Sequence, residues 1–245
     1  MINLVIDIGN SRTKIALFNQ YDLMFNVSID RLTLEHLRML KEEYPQLTKA
    51  ILSSVKPGNE DLIGFLTEEF EFFMELDQHS ELPIENLYET PETLGKDRLA
   101  AAVGANELFP DKNLLVIDAG TAITYDLVSE KNQFIGGNIS PGLEMRFKAL
   151  NYFTGKLPLI GTSDEFDFMG KNTADAIRAG VQNGMIYEIG QTIEIFNRNY
   201  QNLQIIMTGG DSNFFDKKLN YSIFVHFNLT LIGLNRILEH NAKKK

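Results

Sequence analysis

The 245-residue sequence has no cysteine and no tryptophan, only four histidines, and only seven prolines. Without cysteine there is no disulfide framework, no thiolate nucleophile and no cysteine-ligated metal. Four scattered histidines, His36, His79, His226 and His240, leave little material for a histidine-rich zinc centre. Cations are also scarce. The 23 Lys and Arg against 33 Asp and Glu give a formal charge of −10, which opposes the basic footprint that nucleic-acid binding needs. It does not oppose an anion held by backbone amides. No uncharged apolar run is long enough for a bilayer span, and the chain enters the apolar run 2–8 without a basic leader. The expectation is a soluble, cytoplasmic protein with no nucleic-acid and no membrane partner. The basic tail 243–245 reads as a solvated end.

What is present is globular in balance, with 44% hydrophobic and 23% charged residues. The most informative feature is internal. Leu4-Val5-Ile6-Asp7-Ile8-Gly9 recurs as Leu115-Val116-Ile117-Asp118-Ala119-Gly120, with Thr13 and Thr124 at the same offset. Each copy reads as a buried strand, a tight turn after Asp-x-Gly, and a returning strand. The spacing predicts helices over 33–44, 60–69 and 96–108 and strands over 50–55 and 72–76, with a loop over 77–93. In the second half it predicts strands over 114–119, 122–129, 134–139 and 204–208. Helices are expected from 143, over 173–200 and over 229–239. Meanders followed by alternating helices indicate a mixed sheet flanked by helices in each half, so two similar α/β lobes, 1–112 and 113–245.

Four elements carry chemistry. Asp7-Ile8-Gly9-Asn10-Ser11-Arg12-Thr13-Lys14 is a turn of small residues, hydroxyls and cations. Gly9 and Asn10 tolerate positive φ, which lets amides turn inward on an anion; a plain hairpin turn is the simpler alternative. No Walker-type loop and no dinucleotide G-x-G-x-x-G occur. The second copy, 118–126, replaces the cations by small residues. If the lobes face each other, a polyphosphate fits between the turns, and Asp7 and Asp118 are placed to share a cation; capping of the turn backbone is the alternative. Gly95-Lys96-Asp97-Arg98 opens a small-residue helix, where the acid suits a general base and the guanidinium a carboxylate fork. A capping Asp with a surface Arg explains the same residues. Thr208-Gly209-Gly210-Asp211 and Gly136–Gly142 are further glycine-rich turns, the latter with Pro141 suited to a first helical turn.

As a set these elements resemble type III pantothenate kinases, within the acetate kinase, sugar kinase, Hsp70 and actin superfamily. The matching pieces are Asp7–Lys14, Tyr88 through Pro91 to Gly95–Arg98, Asp118–Asp126, Gly136–Gly142, Thr173 with its following Ala-Asp-Ala-Ile, and Thr208–Asp211. The resemblance implies two RNase H-like lobes with a nucleotide cleft between them, and ATP-dependent phosphorylation of pantothenate, the first step of coenzyme A synthesis. In that reading Asp7, Ile8, Gly9, Asn10, Ser11, Arg12, Thr13 and Lys14 hold ATP phosphates, with Thr121 contributing from the second turn. Asp118 binds a monovalent cation, potassium or ammonium, and magnesium accompanies ATP. Tyr88, Gly95, Lys96, Asp97 and Arg98 line the pantothenate site, with Asp97 as proton acceptor. Thr173 matches a substrate contact supplied across a homodimer interface. The segment 150–156 has neither His nor Arg, so no basic contact transfers onto it. Two other readings stand beside this one: a superfamily kinase for another small hydroxylated acid, and a non-catalytic nucleotide-binding regulator.

Overall fold

The opening apolar run forms β1 (Ile2–Ile8), buried along its whole length, in a computed structural model that describes residues 2–243. Lys244 and Lys245 of the basic tail lie outside the described residues. By its contacts the chain falls into two units. One holds the residues up to 110, 131–135 and those from 228 onward; the other holds 111–130 and 136–227.

In the first unit β1, β2 (Thr13–Asn19) and β3 (Asp22–Ile29) form an antiparallel meander. β4 (Leu47–Ser54) then pairs parallel to β1, and β5 (Phe72–Glu75) parallel to β4, giving the order β3-β2-β1-β4-β5. α1 (Leu34–Glu43) starts at Thr33, whose hydroxyl accepts from the His36 amide while the His36 ring accepts from the Thr33 amide. This reciprocal cap satisfies two amides that the first turn would otherwise leave open. α2 (Glu60–Glu69) follows, and Leu37, Leu62 and Leu66 of these helices join one core cluster with Leu4, Ile6, Ile15 and Leu52 of the sheet. The expected loop 77–93 contains a two-residue strand, β6 (Glu85–Asn86), and a short 3-10 turn, Pro91–Thr93. α3 (Lys96–Leu108) is buried on every side from Arg98 to Ala105.

The second unit repeats the pattern. β7 (Leu114–Ala119) and β8 (Ala122–Ser129) are antiparallel, and β9 (Gln133–Pro141) follows. The opening residues of β9, which group with the first unit, pair with β6 there. α4 (Leu143–Phe153) and α5 (Thr173–Asn199) lead to β10 (Gln204–Thr208), then α6 (Ser212–Asp216) and β11 (Ile223–Val225). The strand order is β11-β10-β7-β8-β9, with β10 parallel to both β7 and β11. Ile177, Val181, Met185, Ile189 and Ile193 are buried at four-residue spacing, one apolar stripe of α5 laid into the core.

The last helix, α7 (Leu229–Ala242), returns to the first unit. The repeat suggested one cut at 112/113; by contact the chain instead crosses between units more than once. α7 packs along α3 because glycines face each other there. A methyl group at Gly104 would lie 2.2 Å from the Leu229 carbonyl oxygen, and one at Gly233 only 1.7 Å from that of Ala100. A buried polar network ties α7 to β1. Asn3 Nδ2 donates to Asn235 Oδ1 and Glu239 Oε1, both at 2.8 Å, and Lys49 Nζ meets the same Glu239 oxygen at 2.8 Å. Asn235 in turn donates to the Gln20 carbonyl at 2.7 Å. Burial alone would raise the Glu239 carboxyl, but the bonds from Lys49 and Asn3, with the Lys49 and Lys243 charges, hold it below its ordinary value.

Two glycine substitutions separate close packing from helix propensity. Gly104→Ala should destabilise the protein by roughly 3 kcal/mol, since the helices must part to admit the methyl. Gly64→Ala, in α2 with nothing within 4 Å of the new carbon, should stabilise it by up to about 1 kcal/mol. Urea-unfolding midpoints of the two variants check both signs.

Candidate active site

Asp7 stands near the end of β1, opposite Lys14 on β2 and opposite Ser53 on β4. It is 9% exposed. Burial pushes its carboxyl up to about 6; the Lys14 charge opposes this, the Asp97 charge adds to it, and the Ser53 hydroxyl lowers it again. The Ser53 hydroxyl is itself buried and faces Asp7 from the neighbouring strand. The turn that follows is closed by the Gly9 amide, which donates to the Arg12 carbonyl at 3.0 Å. Neither Gly9 nor Asn10 takes the positive φ that the sequence allowed. Asn10, Ser11 and Arg12 are exposed, and the Arg12 guanidinium pairs with Asp30 at 3.2 Å. Ile8 and Thr13 are buried partners across the hairpin.

At the first turn of α3 the N-cap is Gly95, so Asp97 is not the cap. Asp97 Oδ1 instead accepts from the Arg98 amide at 2.9 Å, and the side chain is exposed. A methyl on Gly95 would lie 2.6 Å from that same oxygen, so glycine gives the carboxylate its place. Arg98 is 6% exposed, and its guanidinium lies 5.7 Å from the centre of the Tyr88 ring. Tyr88 sits edge-on to Phe134 at 6.0 Å. Lys96 turns to Glu75, Nζ to Oε1 3.5 Å. Within the first unit the structure therefore brings Asp7 and Asp97 within electrostatic reach, and Tyr88 onto Arg98.

In the second unit Asp118 ends β7 between Thr124 on β8 and Thr208 on β10. The repeat is thus spatial as well: each Asp has a buried hydroxyl residue, Ser53 or Thr208, on the parallel neighbour. The second turn is tighter by one residue, so Thr124 faces Asp118 whereas Thr13 faces Ile8. Gly209, at φ +95°, presses on this turn; a methyl there would lie 2.4 Å from the Ala119 carbonyl oxygen and 2.5 Å from Asp118 Oδ1. The Asp211 amide donates to the Ala119 carbonyl at 3.0 Å, and the Gly142 amide to the Thr121 carbonyl at 3.1 Å. Burial and the Glu144 charge raise the Asp211 carboxyl. Three motifs that lie far apart in sequence, 118–126, 136–142 and 208–211, therefore meet around Asp118. Pro141 closes β9 rather than opening α4, whose N-cap is Gly142. Thr121 is exposed on the turn, and Thr173 is exposed as the first residue of α5, after the cap Asn172.

Ser53 was legible only as a polar end to the apolar run 50–55. Arg146 and Glu188, which form an ion pair in the second unit, carried no sequence signal at all. Among the described residues no three His, Asp or Glu side chains come together as a ready metal cage. Asp118 Oδ1 and the Ala119 carbonyl oxygen both face the bare Cα of Gly209, so the donors there are oxygen. That set fits a hard cation.

The raised Asp7 carboxyl has a stability consequence. Between its ordinary value near 3.8 and about 6 the folded state keeps a proton that the unfolded chain has lost. Above about 6 both are ionised and the fold bears a penalty of roughly 3 kcal/mol. Asp7→Asn should therefore be more stable than wild type at pH 8, with the gain fading as pH falls to 4, measured by urea midpoints across that range.

The chain is 47% identical over 240 residues to the type III pantothenate kinase of Bacteroides fragilis, covering 98% of each chain. It is 46% identical to that of Phocaeicola vulgatus, covering 99% of this chain and 100% of the other. Among solved structures, the activator of 2-hydroxyisocaproyl-CoA dehydratase from Clostridium difficile shares the fold at 12% identity. Its TM-score is 0.55, over 100% of this chain and 96% of that one. The sequence model of the type III pantothenate kinase family matches residues 3–195, and with these relatives it shows that the chain belongs to that family.

Proposed function

We propose that this protein catalyses ATP-dependent phosphorylation of pantothenate to 4'-phosphopantothenate, with Asp97 as the general base. The observation that carries the reading is the family match along nearly the whole chain, and the first turn of α3 supplies chemistry that suits it. Phosphoryl transfer asks mainly for positioning and charge neutralisation. The substrate hydroxyl oxygen forms a bond to the γ-phosphorus as the bond to the bridging oxygen of ADP breaks, and the hydroxyl proton passes to Asp97. With Oδ1 engaged by the Arg98 amide, Oδ2 is the oxygen that takes it. Arg98, held on Tyr88, pairs with the substrate carboxylate; Gly95 and Lys96 complete that side.

ATP phosphates are assigned to the turn 7–14, where Lys14 offers charge, Ser11 and Thr13 offer hydroxyls, and Ile8, Gly9, Asn10 and Arg12 form the turn. Thr121 adds a contact from the second turn. Asp118 would hold potassium or ammonium, and magnesium would arrive on the phosphates; a bound cation supplies charge neutralisation there. Thr173 is assigned to substrate contact across a homodimer interface. Tyr152, Phe153 and Phe168, each at least 80% exposed, offer apolar surface that a second copy would cover. No described helix is long and apolar enough to cross a membrane.

A coupled assay of ADP release with and without pantothenate tests the reading; ATP turnover that ignores pantothenate would sink it. Asp97→Asn should lower kcat by about 100-fold or more while leaving the unfolding midpoint nearly unchanged. Near-normal turnover in that variant would remove Asp97 as the base. Replacing potassium by sodium should reduce kcat/KM for ATP in the wild type, and Asp118→Asn should abolish the difference between the two salts. Equal rates in both salts for the wild type would count against a cation at Asp118.

A further inference from the structure

Tyr125, Arg146 and Glu188 form a charged cluster in the second unit that the chemistry above does not use. Arg146 Nη2 donates to Glu188 Oε2 and, at 3.1 Å, to Ser140 Oγ, while Nε donates to the Pro141 carbonyl at 2.8 Å. The Tyr125 hydroxyl donates to Glu188 Oε1 at 3.1 Å. Glu188 of α5 is gripped at both oxygens, and Arg146 of α4 is fastened to the end of β9. This is more than a surface pair. The Arg146 and Glu188 side chains are 21% and 30% exposed. Tyr125 is buried, and that burial, with the neighbouring Glu188 charge, raises its hydroxyl well above the ordinary value and keeps it a donor.

What the cluster holds is the segment Ser140-Pro141-Gly142. Gly142 donates its amide to Thr121 and has no room to spare, since a methyl there would lie 2.2 Å from the Gly120 carbonyl oxygen. We propose that Arg146 is a positioning residue for the nucleotide: by fastening Ser140 and Pro141 to Glu188 it seats Gly142 on the 120–121 turn. It thereby fixes the turn that presents Thr121 and Asp118. The inference rests on the assignment of that turn to ATP and its cation. A planar guanidinium suits the task because it reaches a carboxylate, a hydroxyl and a carbonyl from one rigid fork, which a lysine ammonium cannot match in geometry.

The test compares wild type with Arg146→Ala, Arg146→Lys, Glu188→Gln and Tyr125→Phe. Two measurements are made: ATP-dependent thermal shift in potassium without pantothenate, and steady-state kinetics with each substrate varied in turn. Arg146→Ala should raise both the half-saturating ATP and the KM for ATP about tenfold, with the KM for pantothenate and the nucleotide-free Tm close to wild type. Arg146→Lys should recover only a minor part of the loss. Glu188→Gln and Tyr125→Phe should shift ATP in the same direction by less, and Arg146→Ala with Glu188→Gln should be no worse than Arg146→Ala alone. Unchanged ATP saturation in Arg146→Ala overturns the proposal. So do equal losses for both substrates that follow a fallen nucleotide-free Tm. A wild type that binds ATP but leaves pantothenate untouched would remove the kinase reading while the ATP shifts still judge Arg146. A wild type that does not bind ATP would overturn both.

Discussion

Backbone laid directly on backbone is the contact on which the chemistry-bearing ends of both sheets depend. In the first unit, Gly104 and Gly233 let α3 and α7 approach until carbonyl oxygens occupy the space of a side chain. The direction of α3 is set there, and its first turn, with Asp97 and Arg98, inherits that direction. In the second unit Gly142 and Gly209 do the same for the turn after β7. Glycine costs conformational entropy, about 1 kcal/mol relative to alanine within a helix. At these positions any larger residue would separate the elements, so the cost is met by the packing that surrounds it.

The same geometry explains how an acidic chain is suited to anionic substrates. The net charge of −10 is a property of the whole sequence, and it says little about one strand end. There a buried carboxylate, Asp7, is balanced by Lys14 and Ser53 and unsettled by Asp97. A cation arriving with phosphate would relieve that imbalance. Arg98 is buried with its guanidinium laid on an aromatic face, which adds attraction. Local charge, held at low exposure, matters more than the total.

Much of this was legible in the residues. α2, α3, β7, β8 and β10 fall where the spacing put them, because each has sharp turn chemistry at its ends and a clean apolar pattern within. β3 was missed because most of its residues are exposed, so no alternation marks it. β11 is too short to carry a period. The return of α7 to the first unit was hidden for another reason. An apolar helix face says that it will be covered, not by which sheet, and the partner glycines lie more than a hundred residues apart. At the proposed site, the Asp-x-Gly repeat and Gly95–Arg98 were legible as turns, which the structure places at the ends of β1 and β7 and at the start of α3. The pairing of Ser53 with Asp7 and of Thr208 with Asp118 was not, since only the parallel register of β4 and β10 brings them together. The positive φ allowed to Gly9 and Asn10 was permitted by residue type and not needed by the turn.

The network from Asn3 to Asn235 and Glu239 has a consequence for the order in which the protein is made. A ribosome releases β1 long before α7, yet Asn3 on β1 finds side-chain partners on α7. Until α7 has emerged, Asn3 and Lys49 lack the Glu239 carboxylate, and the small-residue face of α3 lacks the helix that covers it. The residues of the second unit are all synthesised between 111 and 227 and carry β7, β8, β10, β11 and the later part of β9. The core of the second unit can therefore close before α7 is made, while the first unit, though begun earlier, must wait for that helix.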